Sequence, residues 1–125
     1  MQIVEAVLDS VAAGELRAGG RLPSVREAAI QALVNPNTIA RAWRELEVLG
    51  VVDGKAGAGV FVTEGGPDVA RRERRKATLA DLRRALDEAL RSGHSPDIVG
   101  EETEKAVRRA GGDAKTPAEG KGGRR

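Results

Sequence analysis

Asn35-Pro36-Asn37-Thr38, followed by Arg41 and Arg44, is the stretch of this chain whose residue types and spacing best suit chemistry. An Asn amide can pair through two hydrogen bonds with an adenine edge. Thr offers a hydroxyl and a methyl, and Arg can bind guanine or a phosphate. At the start of a helix these side chains sit beside free backbone N–H groups, which favour phosphate oxygens. The combination suits reading of a DNA major groove, which is about 12 Å wide and admits one helix. The same residues also fit an ordinary capped helix start. Arg44 could equally pair with Glu45 or Glu47 on a solvated face. Residue types alone leave these alternatives open.

Other chemistry finds little support. The chain has no Cys, which excludes disulfides, thiolate metal sites and cysteine nucleophiles. His94 is the one histidine, in a Gly-His-Ser-Pro break, and no Ser/His/Asp set or metal-ligand spacing accompanies it. Gly54–Gly59 lacks the Lys-Ser/Thr of a phosphate loop. We therefore expect no enzyme, no cofactor and no metal.

The helix that positions the candidate readers must be held by neighbours, and the pattern supplies them. Ile3, Val4, Val7, Leu8 and Val11 recur at helical spacing over residues 2–13, with Gly14 as a stop. Arg17–Gly20 reads as a turn. Ser24 caps a second helix from Val25 to about Leu33, and Glu27 completes a capping box. Asn35 caps the third helix, Pro36 takes its first position, and Ile39, Trp43, Leu46 and Leu49 share its apolar face. Gly50 ends it. Residues 51–53 and 60–62 are short strand-like segments around a glycine-rich hairpin tip. Three helices and a hairpin form the winged helix-turn-helix pattern. Residues 1–64 are thus expected to be a DNA-binding domain.

After a linker at Gly65-Gly66-Pro67, a longer helix is expected from about Asp68 to Ser92, and a last one from Pro96 to about Ala110. Leu79, Leu82, Leu86 and Leu90 form one stripe on the longer helix. They could pair with a second copy or pack on the chain's own N-terminal part. Residues 67–110 are read as a two-helix dimerisation segment and 111–125 as a disordered tail. The fold class is mainly α with a small β-hairpin.

Charge gives a mixed signal. The net charge is +2, but residues 1–64 hold six Lys/Arg against eight Asp/Glu, whereas residues 65–125 hold fifteen against eleven. A basic footprint must come from local placement or from the second half. Arg71-Arg72-Glu73-Arg74-Arg75-Lys76 could lie along phosphates or form a solvated face. No apolar run approaches a membrane span and no leader pattern is present, so a cytoplasmic protein without a membrane partner is expected.

Gly14-Glu15-Leu16, Arg21-Leu22-Pro23-Ser24-Val25-Arg26-Glu27, Val34-Asn35-Pro36-Asn37-Thr38-Ile39-Ala40-Arg41-Ala42 and Arg44-Glu45-Leu46-Glu47, in this order, resemble the GntR family of repressors. The Asn-Pro-Asn-Thr form and the short C-terminal part resemble its YtrA-like branch. The likeness covers residues 2–63. It implies a winged helix-turn-helix, a homodimer on a roughly palindromic double-stranded operator, and control of the protein's own operon or a transporter operon. By the same likeness Arg26 contacts DNA, although Glu27 or Glu45 could instead pair with it. Asn35, Asn37 and Thr38 begin the recognition helix, and Gly57 lets the hairpin tip approach the minor groove. The family usually carries basic residues around that glycine. Here Ala56 and Ala58 stand there and only Lys55 remains, which implies weak, salt-sensitive contact. The resemblance allows a small-molecule effector, but no ligand-binding pattern identifies one. The alanine tip and acidic first half also admit another reading, a winged-helix protein-interaction module that no longer binds DNA.

Overall fold

The computed structural model describes residues 2–113. They form α1 (Gln2–Ala12), α2 (Val25–Ala32), α3 (Pro36–Leu49), β1 (Val52–Lys55), β2 (Gly59–Val62), α4 (Gly66–Arg91) and α5 (Pro96–Asp113). Two compact units divide at Leu79/Ala80.

In the first unit, each helix start carries the device its sequence encodes. The Ser24 hydroxyl accepts from the Glu27 N–H at 3.0 Å, and Glu27 Oε1 accepts from the Ser24 N–H at 2.9 Å. Both donors would otherwise be orphans of the first turn. At α3 the Asn35 side-chain oxygen accepts from the Asn37 N–H at 2.7 Å, with Pro36 in the first turn. α2 stops at Ala32, one residue before the expected end. Leu33 takes the left-handed conformation (φ 58°), which lets the chain turn into α3.

The core gathers one face from each element. Val4, Leu8 and Val11 of α1 meet Ala28 and Ala29 of α2 and Ile39, Ala42, Trp43 and Leu46 of α3. Leu22, Val51, Val52, Val62 and Ala70 complete it. Burying each large aliphatic side chain stabilises by about 1.5–3 kcal/mol, so α3 is held chiefly by Ile39 and Leu46, both almost fully buried.

β1 and β2 are antiparallel with Val52 opposite Val62 and Lys55 opposite Gly59. β1 reaches two residues further into the tip than the apolar pattern suggested, because ladder pairing continues through Gly54 and Lys55. The segment before α2 also joins the hairpin. Leu22 N–H donates to Val60 O, Val62 N–H to Gly20 O and Gly19 N–H to Val62 O, each at 2.8 Å. Arg21 pairs opposite Phe61. The expected turn at residues 17–20 therefore leads straight into a third short β segment.

The expected linker is only partly one. Gly66 is buried inside the first turn of α4, and Ala70 one turn on is fully buried. The start of α4 packs with the winged part, which places the break between units at 79/80 instead of 64–67.

The second unit holds residues 80–91 of α4 and α5. Gly93 takes a positive φ between them, and the Ser95 hydroxyl accepts from the Ile98 N–H at 3.2 Å to start α5. Leu86, Ala89 and Val99 are half-buried. α5 extends to Asp113, so residues 111–113, expected to be tail, are helical; residues 114–125 lie outside the described part. Among the described residues no helix is long and apolar enough to cross a membrane.

Candidate nucleic-acid interface

α3 is built in two halves. At about 100° per residue, Asn37, Arg41, Arg44 and Val48 fall on one face and Ile39, Ala42, Trp43 and Leu46 on the other. The first four are exposed and the second four buried. The indole N–H of Trp43 donates to Pro23 O at 3.2 Å, which fixes the approach to α2 against the back of α3. α2 in turn displays Arg26 in its own first turn, while Ala28 and Ala29 face the core.

Among the described residues, none of Arg26, Arg41, Arg44 and Lys55 lies within 4.0 Å of a carboxylate oxygen. Two of the three carboxylates expected to compete for them are engaged elsewhere. Glu27 closes the capping box, and Glu47 Oε2 accepts from the Gly54 N–H at 3.3 Å, tying α3 to β1. The Ser24 backbone N–H, helped by the Ser24 hydroxyl, holds the Glu27 carboxyl below the usual carboxylate range. A smaller desolvation effect opposes them, and the positive charge of Arg21 adds to the lowering.

The remaining candidate readers differ in what they can offer. Asn37 is exposed with no side-chain partner among the described residues. Asn35 spends its carbonyl oxygen on the cap, leaving its NH2 group for an outside partner. Thr38 is half-buried and lines a shallow recess with Gln2, Ile3, Ala32 and Val34, on the α1 side of the helix start.

The hairpin tip is a three-residue loop, Ala56–Ala58. The Ala58 N–H donates to Lys55 O at 2.9 Å, and Gly57 has φ 76° at the third position of that turn, where a type II turn needs glycine. An added Cβ at Gly57 would meet nothing within 4 Å, so the tip has open space in front of it. Lys55 is exposed beside it. Sequence reading passed over Arg21 as a side chain with a task. Its Nε donates to Ala58 O at 3.2 Å. The 37-residue separation left no local signal for that contact.

The basic run of α4 is only partly free. Arg74 pairs with Asp9 of α1 at 2.5 Å, Arg71 with Asp68 and Lys76 with Glu73. Arg72 and Arg75 have no such partner among the described residues and are exposed. Along the leucine stripe, Leu79, Leu82 and Leu90 remain 43–49% exposed, and Leu86 is half-buried.

A helix with a polar outward face, held on two others and followed by a hairpin with an open glycine tip, defines a winged helix-turn-helix protein. The profile of the bacterial regulatory proteins of the gntR family matches residues 1–62, and the chain belongs to that family. The HTH-type transcriptional regulator YhcF of Bacillus subtilis is 47% identical over 64 residues, 51% of this chain and 53% of that protein. The HTH-type transcriptional repressor YtrA of the same organism is 36% identical over 63 residues, 50% of this chain and 48% of that protein. The matched segment is thus about half of each relative's length. A crystal structure of a transcriptional regulator from Oenococcus oeni is similar over more of the chain. It has a TM-score of 0.69 and 34% identity, and the match covers 85% of this chain and 88% of that one.

Proposed function

We propose that this chain is a sequence-specific DNA-binding transcriptional regulator of the YtrA-like branch. It acts as a dimeric repressor of its own or a transporter operon in the cytoplasm, with double-stranded operator DNA as its partner. The observation that carries this reading is the outward face of α3. Asn37, Arg41 and Arg44 line it without an internal partner among the described residues, while the opposite face is locked into the core. Exposed arginines on this face, without a carboxylate partner among the described residues, are poised for phosphates and guanine edges, and each good bidentate base contact is worth about 1–3 kcal/mol of discrimination.

Asn37 and Arg41 are the base readers, with Asn35 and Thr38 as lesser contributors. Arg26, Arg44 and Lys55 neutralise phosphates, and Gly57 leads the tip into the minor groove. Leu79, Leu82, Leu86 and Leu90 form the seam with a second copy, which sets two heads on two half-sites. The relatives named above are regulators of transcription, which supports a role without catalysis. A module that no longer binds DNA would have little use for Arg26, Arg41, Arg44 and Lys55 standing exposed and without a carboxylate partner among the described residues.

The test is a gel shift on the DNA upstream of the gene. Arg26→Ala and Asn37→Ala are expected to abolish the sequence-specific shift while leaving the far-ultraviolet circular dichroism unchanged. Variants that shift like wild type would defeat the proposal.

A further inference from the structure

The tip of the wing brings one cation of its own, Lys55, the last residue of β1 before the loop Ala56–Ala58. A second positive group stands there all the same. Arg21 Nε donates to the Ala58 carbonyl at 3.2 Å. The guanidinium also lies against Gly59, where an added Cβ would sit 2.8 Å from Nε and 3.5 Å from Cζ. Pairing of Arg21 opposite Phe61 sets this arrangement, because it runs the Arg21 side chain alongside the strand that leaves the tip. Glycine at position 59 is what leaves room for it.

One of the five guanidinium N–H donors is used in this way, leaving the two terminal nitrogens free. Arg21 is exposed, and among the described residues no carboxylate oxygen lies within 4.0 Å of it. Its field reaches Glu27, the neighbour of Arg26 on α2. The group is therefore ordered by one bond, charged, accessible and unspent.

We infer that Arg21 is the second cation of the wing and binds a backbone phosphate of the duplex beside the groove that the tip enters. This rests on the DNA-binding reading proposed above. A planar fork with its Nε already tied presents its two terminal nitrogens in the geometry that suits a phosphate. Holding the side chain in advance lowers the entropy lost on binding. The contact would compensate for Ala56 and Ala58 from a segment distant in sequence.

The experiment uses the full chain and a duplex that the wild-type protein enriches from a random-sequence pool. Binding is measured across a salt series. Each phosphate contact contributes about 0.9 to the slope of log K against log salt. Arg21→Gln keeps a side-chain N–H for the Ala58 carbonyl. It should bind on the order of tenfold more weakly at low salt and lose about 0.9 from the slope. Arg21→Met, uncharged and of similar length, is the second neutral variant and should do the same. Arg21→Lys should keep the wild-type slope and bind better than Arg21→Gln. A wild-type slope in the neutral variants, or Arg21→Lys binding no better than Arg21→Gln, would reduce Arg21 to a brace and overturn the assignment. Failure of the wild-type protein to enrich or shift any duplex removes the DNA reading itself. A wild type that binds beside neutral variants of unchanged slope removes only Arg21.

Discussion

Gly66 opens α4 where the chain passes over the base of the hairpin, and adding a single methyl there should be costly. A Cβ at this position would stand 2.6 Å from Val51 O, 2.9 Å from Val62 Cγ1 and 3.1 Å from Thr63 Oγ1. None of the three can yield easily. Val51 and Val62 are buried, and Val51 O already accepts the Thr63 N–H at 2.9 Å. The Thr63 hydroxyl is held by Gly50 O at 2.7 Å. Reaching an ordinary contact distance means moving α4 off the hairpin by roughly 1 Å. Gly→Ala in an unhindered helix gains up to about 1 kcal/mol, whereas overpacking of this kind costs about 1–3 kcal/mol. Sterics should therefore win, leaving Gly66→Ala about 1–2 kcal/mol less stable. With an m-value of about 2 kcal/mol/M in urea, the midpoint should fall by roughly half to one molar at unchanged m. Gly65 provides the local comparison, because an added Cβ there meets nothing within 4 Å. Gly65→Ala should cost only about 0.5–1 kcal/mol, the loss expected when alanine replaces glycine at a capping position without a clash. A Gly66→Ala midpoint at or above that of Gly65→Ala would refute the argument that this glycine is required by close packing.

Three further outcomes follow from other parts of the molecule. Leu33 holds a left-handed φ of 58° while 90% exposed, so Leu33→Gly removes a backbone penalty without losing buried contact. It should raise stability by about 0.5–1 kcal/mol in a thermal melt; a lowered midpoint would mean that the side chain makes a contact. Glu27 has a depressed pKa in the folded protein, caused chiefly by the Ser24 backbone N–H. Its contribution is thus complete above the unfolded carboxylate value and is lost as pH falls through the folded value. Glu27→Gln, which preserves the capping geometry, should flatten the acid limb of the urea midpoint against pH; an unchanged limb would contradict the assignment. Leu82→Glu places a charge in the proposed seam, where burying each leucine is worth about 1.5–3 kcal/mol, and should shift a wild-type dimer to monomer in light scattering. Monomeric wild type would remove the seam.

Local signals carried much of this architecture. The Ser24–Glu27 box and the Asn35-Pro36 start are encoded within four residues, and the Ile39–Trp43–Leu46 stripe within two turns, so periodicity and capping placed α2 and α3 to within a residue. The outward face of α3 could be read for the same reason. Long-range contacts could not. The strand-like pairing of residues 19–22 with β2 depends on a partner some forty residues away. Gly66 looks like a linker glycine until Val51 O is found against it. The six-residue basic run gives no sign that Arg74 belongs to Asp9 of α1 while Arg72 and Arg75 remain without partners among the described residues. Charge counts likewise hid Arg21 from the wing, because its position there is set by strand register and not by neighbours in sequence.

Arg74 gives a way to separate structure from binding along that run. Its side chain is 23% exposed and meets Asp9, itself 59% exposed, at 2.5 Å, joining α4 to α1 across the first unit. Solvent around Asp9 screens the pair, so a coupling of about 0.5 kcal/mol is expected instead of the several expected for a buried pair. A double-mutant cycle of Asp9→Ala and Arg74→Ala in urea should return that coupling. Because the guanidinium is already neutralised, Arg74→Gln should leave the salt dependence of DNA binding at its wild-type slope. The two readouts oppose each other. A cation engaged with Asp9 shows coupling without a slope change, whereas one lying on the duplex shows a slope change without coupling. A flattened slope in Arg74→Gln together with no coupling to Asp9 would place Arg74 on the DNA and undo the division of the run argued here.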